Sequence, residues 1–535
     1  MRPSTFPSNP PDAIDSPVSH HSFGKRVNRS ARLAATIASS WLRTAVTMAI
    51  GLAVTPILIR YLGQERFGVV RAAEQWFAYL EFLNFGLGPA IAVLIVAAAS
   101  EGTPSQLVGT ARSGFALLAH QLRWVLPSAI ALTVTFPFAL DLSKDLKREF
   151  LFAGPILVFS ACSYPAGVFR SVLEARQQGY LLNFSLIVQS FVAAALGVGF
   201  ATIGFGLTGQ LWAWILGAVA WTCFCIFFAG GMTRAFWATP AVPIRRTEVW
   251  QLQWPLLIAG IGTQFNLLSD NLLAGVTFGV GEAASLFLTQ RLFQLAGVVA
   301  GSINGSGTWT GLVDLRARVG VAAFRLRVAE VSKLNLGINL LVLAPVLVCN
   351  RRFISLWVGD GLYAGDGVTV ATFLQLATYN FFCLFSALID VLGRTRRRVW
   401  VSTAGTALKI ALIFPFTAWF GLAGLPLATA VAYLATDVWY CPHVLCSDNG
   451  FSSWDLLAGT ARAVAVGGSW AGLCYYVGTQ DVHLLPGWPG LITEAAAFGF
   501  GSVLLGWLFL LSESERSLWK VRVRGWFHTR ESTER

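Results

Sequence analysis

Four cationic side chains stand inside runs that are otherwise apolar: Arg43, Arg123, Arg291 and Lys409. An ionised group in such a run is costly unless it faces a polar cavity or meets a counter-charge. Arginine adds a planar fork of N–H donors that fits phosphate or carboxylate oxygens two at a time. Arg123, near the start of its run, and Lys409, about two turns into its own, are within snorkelling reach of a surface, whereas Arg43 is harder to place that way. The acidic residues available to meet these cations are fewer: Glu74, Glu81, Asp270 and Asp390. Glu74, Glu81 and Asn84 fall on one helical face, and Gln264, Asn266, Asp270 and Asn271 make a second polar stretch. That second stretch suits sugar hydroxyls, a bound proton or Na⁺, or hydrogen bonds between helices.

The elements that position these residues follow from composition. With 55% hydrophobic and 12% charged residues in 535, and a mean hydropathy of +0.61, the chain has too little charge to coat a water-soluble protein. Apolar runs of about 20 residues cross a hydrocarbon core as helices, and the alternating short strands of a membrane barrel are not seen. The runs place spans at 36–59, 72–99, 115–139, 150–170, 181–204, 208–230, 254–278, 285–312, 333–349, 367–391, 402–421, 424–441, 458–478 and 489–511, so the fold class is an all-α polytopic membrane protein with about 14 transmembrane helices. Most of the 39 Lys and Arg residues then fall on the side of the two termini, which predicts that both are cytoplasmic. Arg60, Arg66 and Arg71 sit at the first outer corner, where they are expected to meet headgroups.

The net charge of +12 fits that bias and not nucleic acid, since no segment is long and polar enough to form a water-facing basic domain. The eight cysteines match no zinc spacing, and the six histidines form no metal or catalytic pair. No phosphate-binding glycine loop is present. No catalytic residue, metal site or cofactor is expected, so any transport cycle would run on an ion gradient with a proton or Na⁺ as coupling ion, on the membrane potential, or on the substrate gradient alone.

The chain repeats. FGLTG at 205–209 joins two spans, and FGLAG at 420–424 joins two more; RSVLEAR at 170–176 and IDVLGR at 389–394 precede them, and the corner at 63–68 falls opposite 279–284. Two six-helix lobes in parallel orientation are therefore expected, an arrangement that puts a substrate site between lobes. The expected divisions are a disordered cytoplasmic tail at 1–33, an N-terminal lobe at 34–232, a linker at 233–250, a C-terminal lobe at 251–441, two further helices at 455–511 and a basic tail at 512–535.

Four segments carry a family resemblance: TPILIRYLGQERFGV at 55–69, FLNFGLGPAI at 82–91, SDNLLAG at 269–275 and the stretch from VLGRTRRRVW through FGLAGLPLATAVAYL at 391–434. In order and spacing the chain resembles the polysaccharide flippases, the Wzx-type proteins of the multidrug/oligosaccharidyl-lipid/polysaccharide (MOP) exporter superfamily. The resemblance implies two lobes in a V around a central cavity. It also implies transfer of an undecaprenyl-diphosphate-linked oligosaccharide from the inner to the outer leaflet of the bacterial cytoplasmic (inner) membrane, by alternating access and without enzymatic chemistry. Partners would be that substrate, membrane lipids and other polysaccharide export proteins. The cavity residues it points to are Arg43, Arg291, Glu81, Asp270, Asn271, Arg123 and Lys409, whose cations would offset the cost of carrying a diphosphate past hydrocarbon. Another exporter of the same fold is the alternative. A membrane polymerase or ligase is disfavoured, because the longest outer loops, 350–366 and 479–488, are under about 20 residues.

Overall fold

A computed structural model of the chain describes residues 21–79, 86–101, 103–229, 232–244, 246–301, 306–392, 394–480, 485–513 and 515–517. The helices are α1 (His21–Ala78), α2 (Leu87–Glu101), α3 (Pro104–Ala139), α4 (Lys144–Ala161), α5 (Gly167–Ala175), α6 (Gly179–Thr202), α7 (Gly206–Ala229) and the short α8 (Met232–Ala238). They continue with α9 (Arg246–Leu268), α10 (Asp270–Phe278), α11 (Val280–Ala300), α12 (Ser306–Arg318), α13 (Val321–Val358), α14 (Asp366–Val391), α15 (Thr395–Phe420), α16 (Gly424–Ala435), α17 (Asp437–Asp448), α18 (Ser453–Thr479) and α19 (Gly487–Leu505). Ten stretches of the described residues are long and apolar enough to cross a membrane. Several passes combine two elements, and the described residues make about 14 helical passes in all. The chain is a multi-pass membrane protein. Most of the tail placed at 1–33, and residues 518–535 of the basic tail, lie outside the described residues.

Local chemistry sets the boundaries. Thr103 caps α3 in a reciprocal pair with Gln106, whose side chain accepts from the Thr103 N–H at 2.8 Å, with Pro104 at the first helical position where its missing N–H costs nothing. The corner expected over 60–71 is far tighter than its charged sequence suggests. Helix runs up to Gly63 (φ 78°, ψ 167°) and resumes at once, and Gly279 (φ 100°, ψ 160°) turns the chain from α10 into α11 in the same way. Only glycine takes this backbone conformation cheaply. The two lobes therefore begin with matching corners, and the seventh pass, expected as one helix, is broken at Ser269.

Each lobe has its own cores. In the N-terminal lobe Ile91, Ala111, Val172 and Phe236 pack together toward one end, and Phe136, Phe150 and Leu207 toward the other. Phe324, Leu384, Phe385 and Cys441 anchor the C-terminal lobe. A fourth cluster crosses between lobes, uniting Leu58, Leu62 and Phe67 of α1 with Ala284 and Leu288 of α11 and Ile354 of α13.

The last two passes are bound to the second lobe. Arg352 of α13 pairs with Glu494 of α19, Nη1 to Oε1 at 2.5 Å, and donates through Nη2 to the carbonyls of Leu485 and Gly487. Both side chains are buried, so deleting one leaves the other charged in a medium of low dielectric. Arg352→Leu should lower stability by about 3–5 kcal/mol, measured by tryptophan fluorescence during unfolding in lipid–detergent micelles. Arg352→Leu with Glu494→Leu should recover most of that loss.

Candidate anion site between the lobes

α1 and α11 meet just inside their corners. A Cβ on Gly68 would stand 1.8 Å from the Val280 carbonyl oxygen, so the helices touch backbone to backbone only because residue 68 has no side chain. Gln64 Nε2 seals the same seam, donating to the Gly281 carbonyl at 2.9 Å and lying 3.1 Å from Ser285 Oγ. Deeper in, Gln75 Oε1 accepts from the Leu272 N–H at 2.9 Å, and Trp357 Nε1 donates to the Leu52 carbonyl at 2.8 Å.

Behind the seam each helix presents the same three-residue face. α1 offers Phe67, Arg71 and Glu74; α11 offers Phe287, Arg291 and Gln294, spaced i, i+4 and i+7 so that all three lie in one row. The rings of Phe67 and Phe287 meet at 5.9 Å. The Arg71 guanidinium lies 5.0 Å from both ring centroids, and that of Arg291 lies 5.8 Å from Phe287, within reach of cation–π attraction. Arg71 pairs with Glu74 at 2.9 Å. Arg291 donates to Gln294 Oε1 at 3.4 Å and presses on α1, where a Cβ at Gly51 would lie 2.5 Å from its Nη2. The Nε–H groups of Arg71 and Arg291 are both buried without a partner among the described residues. Buried donors are nearly always satisfied, so two orphans on cations from opposite lobes, with one carboxylate between them, describe a place for an anion.

The seven residues singled out in the sequence separate into different surroundings. Arg291 belongs to this site. Arg43 is half-buried on α1, eight residues or about 12 Å along the axis from Gly51, which touches Arg291. Arg123 is exposed, its guanidinium 5.6 Å from the Trp124 ring. Glu81 lies outside the described residues. Asp270, Asn271 and Lys409 are buried in the second lobe, where Lys409 Nζ is 2.8 Å from Asp270 Oδ1 and Gln375 Nε2 donates to Oδ2 at 2.8 Å.

Sequence reasoning placed Arg71 at the outer headgroups, because a corner of eleven residues would put it there. With the turn confined to Gly63, Arg71 falls two turns inside the second pass and faces the other lobe. Of its neighbours, Arg60 is exposed and Arg66 pairs with Glu149 at 3.0 Å. The shared row in FGVVRAAE and FLTQRLFQ was a signal that could have found Arg71. Asp437, the first residue of α17 and buried, was also missed.

A cavity of about 740 Å³ lies in the N-terminal lobe, walled by α2, α3, α5 and α7 with α9 on one side, and it reaches α1 at Phe77, three residues past Glu74. Tyr164, Trp214, Trp221 and Gln264 line it, with the Arg170–Glu174 pair (2.9 Å) in its wall.

No protein-family model matches the sequence, and no curated protein does. Solved structures match the fold over most of the chain. The lipid II flippase MurJ in an inward closed conformation superposes with a TM-score of 0.66 at 14% identity, covering 88% of this chain and 98% of its own. An inward-facing multidrug resistance MATE family transporter of the MOP superfamily gives 0.58 at 14% identity, over 81% and 99%. A MATE structure in a bent conformation gives 0.51 at 13% identity, over 83% and 98%. The chain shares the fold of these proteins, with two six-helix lobes and two further helices.

The backbone contact at Gly68 predicts a sensitive seam. With Gln64→Cys and Gly281→Cys introduced together, a short bifunctional thiol reagent should cross-link the corners. Adding Gly68→Leu should abolish the cross-link without loss of protein, because a branched side chain cannot fit against the Val280 carbonyl.

Proposed function

We propose that the chain is an exporter that carries a lipid-linked oligosaccharide on a diphosphate, with an undecaprenyl carrier, from the inner to the outer leaflet of a bacterial cytoplasmic membrane for envelope polysaccharide assembly. The observation that carries this reading is the pair of half-satisfied guanidiniums, Arg71 and Arg291, brought together by opposite lobes. A diphosphate supplies charge for both and oxygens for their orphan Nε–H groups. Because one cation comes from each lobe, the grip exists where the lobes meet and weakens where they part, which is what release by alternating access requires.

The cavity that reaches α1 at Phe77 suits the glycan. Its volume falls within the range of small-molecule sites, and its indoles offer flat apolar faces next to hydrogen-bonding groups. MurJ, of the same fold, is a lipid II flippase by name, so a lipid-linked cargo has a precedent in this architecture. On this reading both termini are cytoplasmic, Arg43 meets the cargo along α1, and other export proteins receive the product.

A multidrug exporter is the competing reading, since a MATE transporter shares the fold. Organic cations call for free carboxylates at the site, and here the described interlobe carboxylate, Glu74, is already held by Arg71.

Arg71→Ala and Arg291→Ala should each cut polysaccharide export at least tenfold at unchanged protein level, a factor worth about 1.4 kcal/mol, while lipid-linked repeat units accumulate on the inner leaflet. The assay is accessibility of those units to an impermeant glycan-oxidising reagent in intact cells. Normal export by both variants rules out the diphosphate grip.

A further inference from the structure

The break in the seventh pass leaves a helix end inside the C-terminal lobe. α9 stops at Leu268 and α10 starts at Asp270, with Ser269 between them at near-helical dihedrals (φ −85°, ψ −22°), so the pass is interrupted and not unwound. Carbonyls in the last turn of a helix have no partner further along. Two of them, at Phe265 and Asn266, accept from Lys409 Nζ at 3.3 and 3.0 Å. Ser269 Oγ and Asp270 Oδ1 complete the shell, each 2.8 Å from the same nitrogen. Lys409 reaches this point from α15 and is fully buried.

The ammonium is thus surrounded by two carbonyls, a hydroxyl and a carboxylate, all from one broken helix. Carbonyls in the last turn of a half-helix, with a hydroxyl and a carboxylate beside them, form the kind of shell that takes a monovalent cation in place of its water. The negative end of the α9 dipole adds to the attraction. The charge also balances, one carboxylate against one ammonium. More oxygen is at hand, since Asn266 Oδ1 and Asn271 Oδ1 are buried without partners among the described residues. Lysine has three N–H donors for four acceptors, so the shell is richer in oxygen than an ammonium alone can use.

We propose that Lys409 is a tethered cation: its ammonium occupies a monovalent-cation site built by the break in the seventh pass, and a chain with the side chain shortened binds Na⁺ or K⁺ there instead. A cation fixed to α15 cannot leave. The native chain therefore keeps this site filled and neutral without an alkali ion, and any ion that drives transport binds elsewhere. The inference stands apart from the cargo, because it concerns a shell buried within one lobe.

The test uses the full-length protein in lipid–detergent micelles, with Tm measured in equal concentrations of sodium, potassium or N-methylglucamine chloride. The native chain sets the baseline response to the three salts. Lys409→Ala should lose several degrees in N-methylglucamine and regain part of that loss, saturably, in Na⁺ or K⁺. Lys409→Ala with Asp270→Asn should show no such gain. Lys409→Leu, which keeps the packing of the stem but stops two atoms short, is read in the same way if the alanine variant does not accumulate. The inference is overturned if the native chain gains as much from Na⁺ or K⁺ as the shortened variants do, or if their gain survives Asp270→Asn. It is equally overturned if both shortened variants are indifferent to the salt, or fail to fold in all of them.

Discussion

Gly68 lies against the Val280 carbonyl so closely that a Cβ there would overlap the oxygen, and that contact sets the register between the lobes. Side chains further along each helix face one another as this contact dictates. Phe67 meets Phe287, and Arg71 and Arg291 are drawn to the same aromatic ring. A slide of one turn, about 5.4 Å, would part the two cations and leave Gln64 without the Gly281 carbonyl. The small residues at 283–285 belong to the same constraint, since Ala284 is fully buried and its Cβ lies 3.5 Å from where a Gly68 Cβ would be.

Charge inside the molecule is handled in two ways. Lys409–Asp270 and Arg352–Glu494 are matched one to one, buried and hydrogen-bonded further, and each holds an element in place: the halves of the broken seventh pass in one case, the last two passes in the other. The group between the lobes is not matched. Of the two guanidiniums Arg71 pairs with Glu74 and Arg291 meets the amide of Gln294, and the Nε–H of each has no acceptor among the described residues. A pair that is satisfied stabilises a structure, or at least does not weaken it; a group left one charge out of balance in a low-dielectric setting attracts a counter-ion. The distinction separates scaffold from site without reference to any other protein.

The passes and the repeat were legible in the sequence because hydrocarbon thickness imposes a length on every span and a composition on every join. The breaks were not. Ser269 interrupts an apolar helix with no proline or glycine at that point, and Asp270 reads as one more polar residue until Lys409, far along the chain, is seen beside it. Arg71 was misplaced for a related reason, as charged residues around a corner look like surface when the turn is a single glycine. Lys409 read as a residue able to snorkel, but its amine turns inward because four oxygens there outbid the headgroups.

The two lobes start from the same corner and then diverge. The first keeps room, a cavity with aromatic walls. The second fills its interior with polar side chains and breaks two passes, with Asp270 heading α10 and Asp437 heading α17. Both carboxylates lie at helix N-termini, where the dipole favours negative charge, and both lie against α15: Lys409 bonds one, and a Cβ at Gly405 would stand 3.1 Å from Oδ2 of the other. Since Lys409 is consumed within that lobe, it adds nothing to the charge that faces a cargo. On the diphosphate reading, the net single positive charge of Arg71, Arg291 and Glu74 answers only about half of the cargo's two negative charges. The remainder falls to Arg43, which lies about two turns down α1 from the Arg291 contact and has no ion pair or hydrogen bond among the described residues. On that reading a cargo held by all three arginines would straddle the first pass, and any tilt of that helix would change the grip.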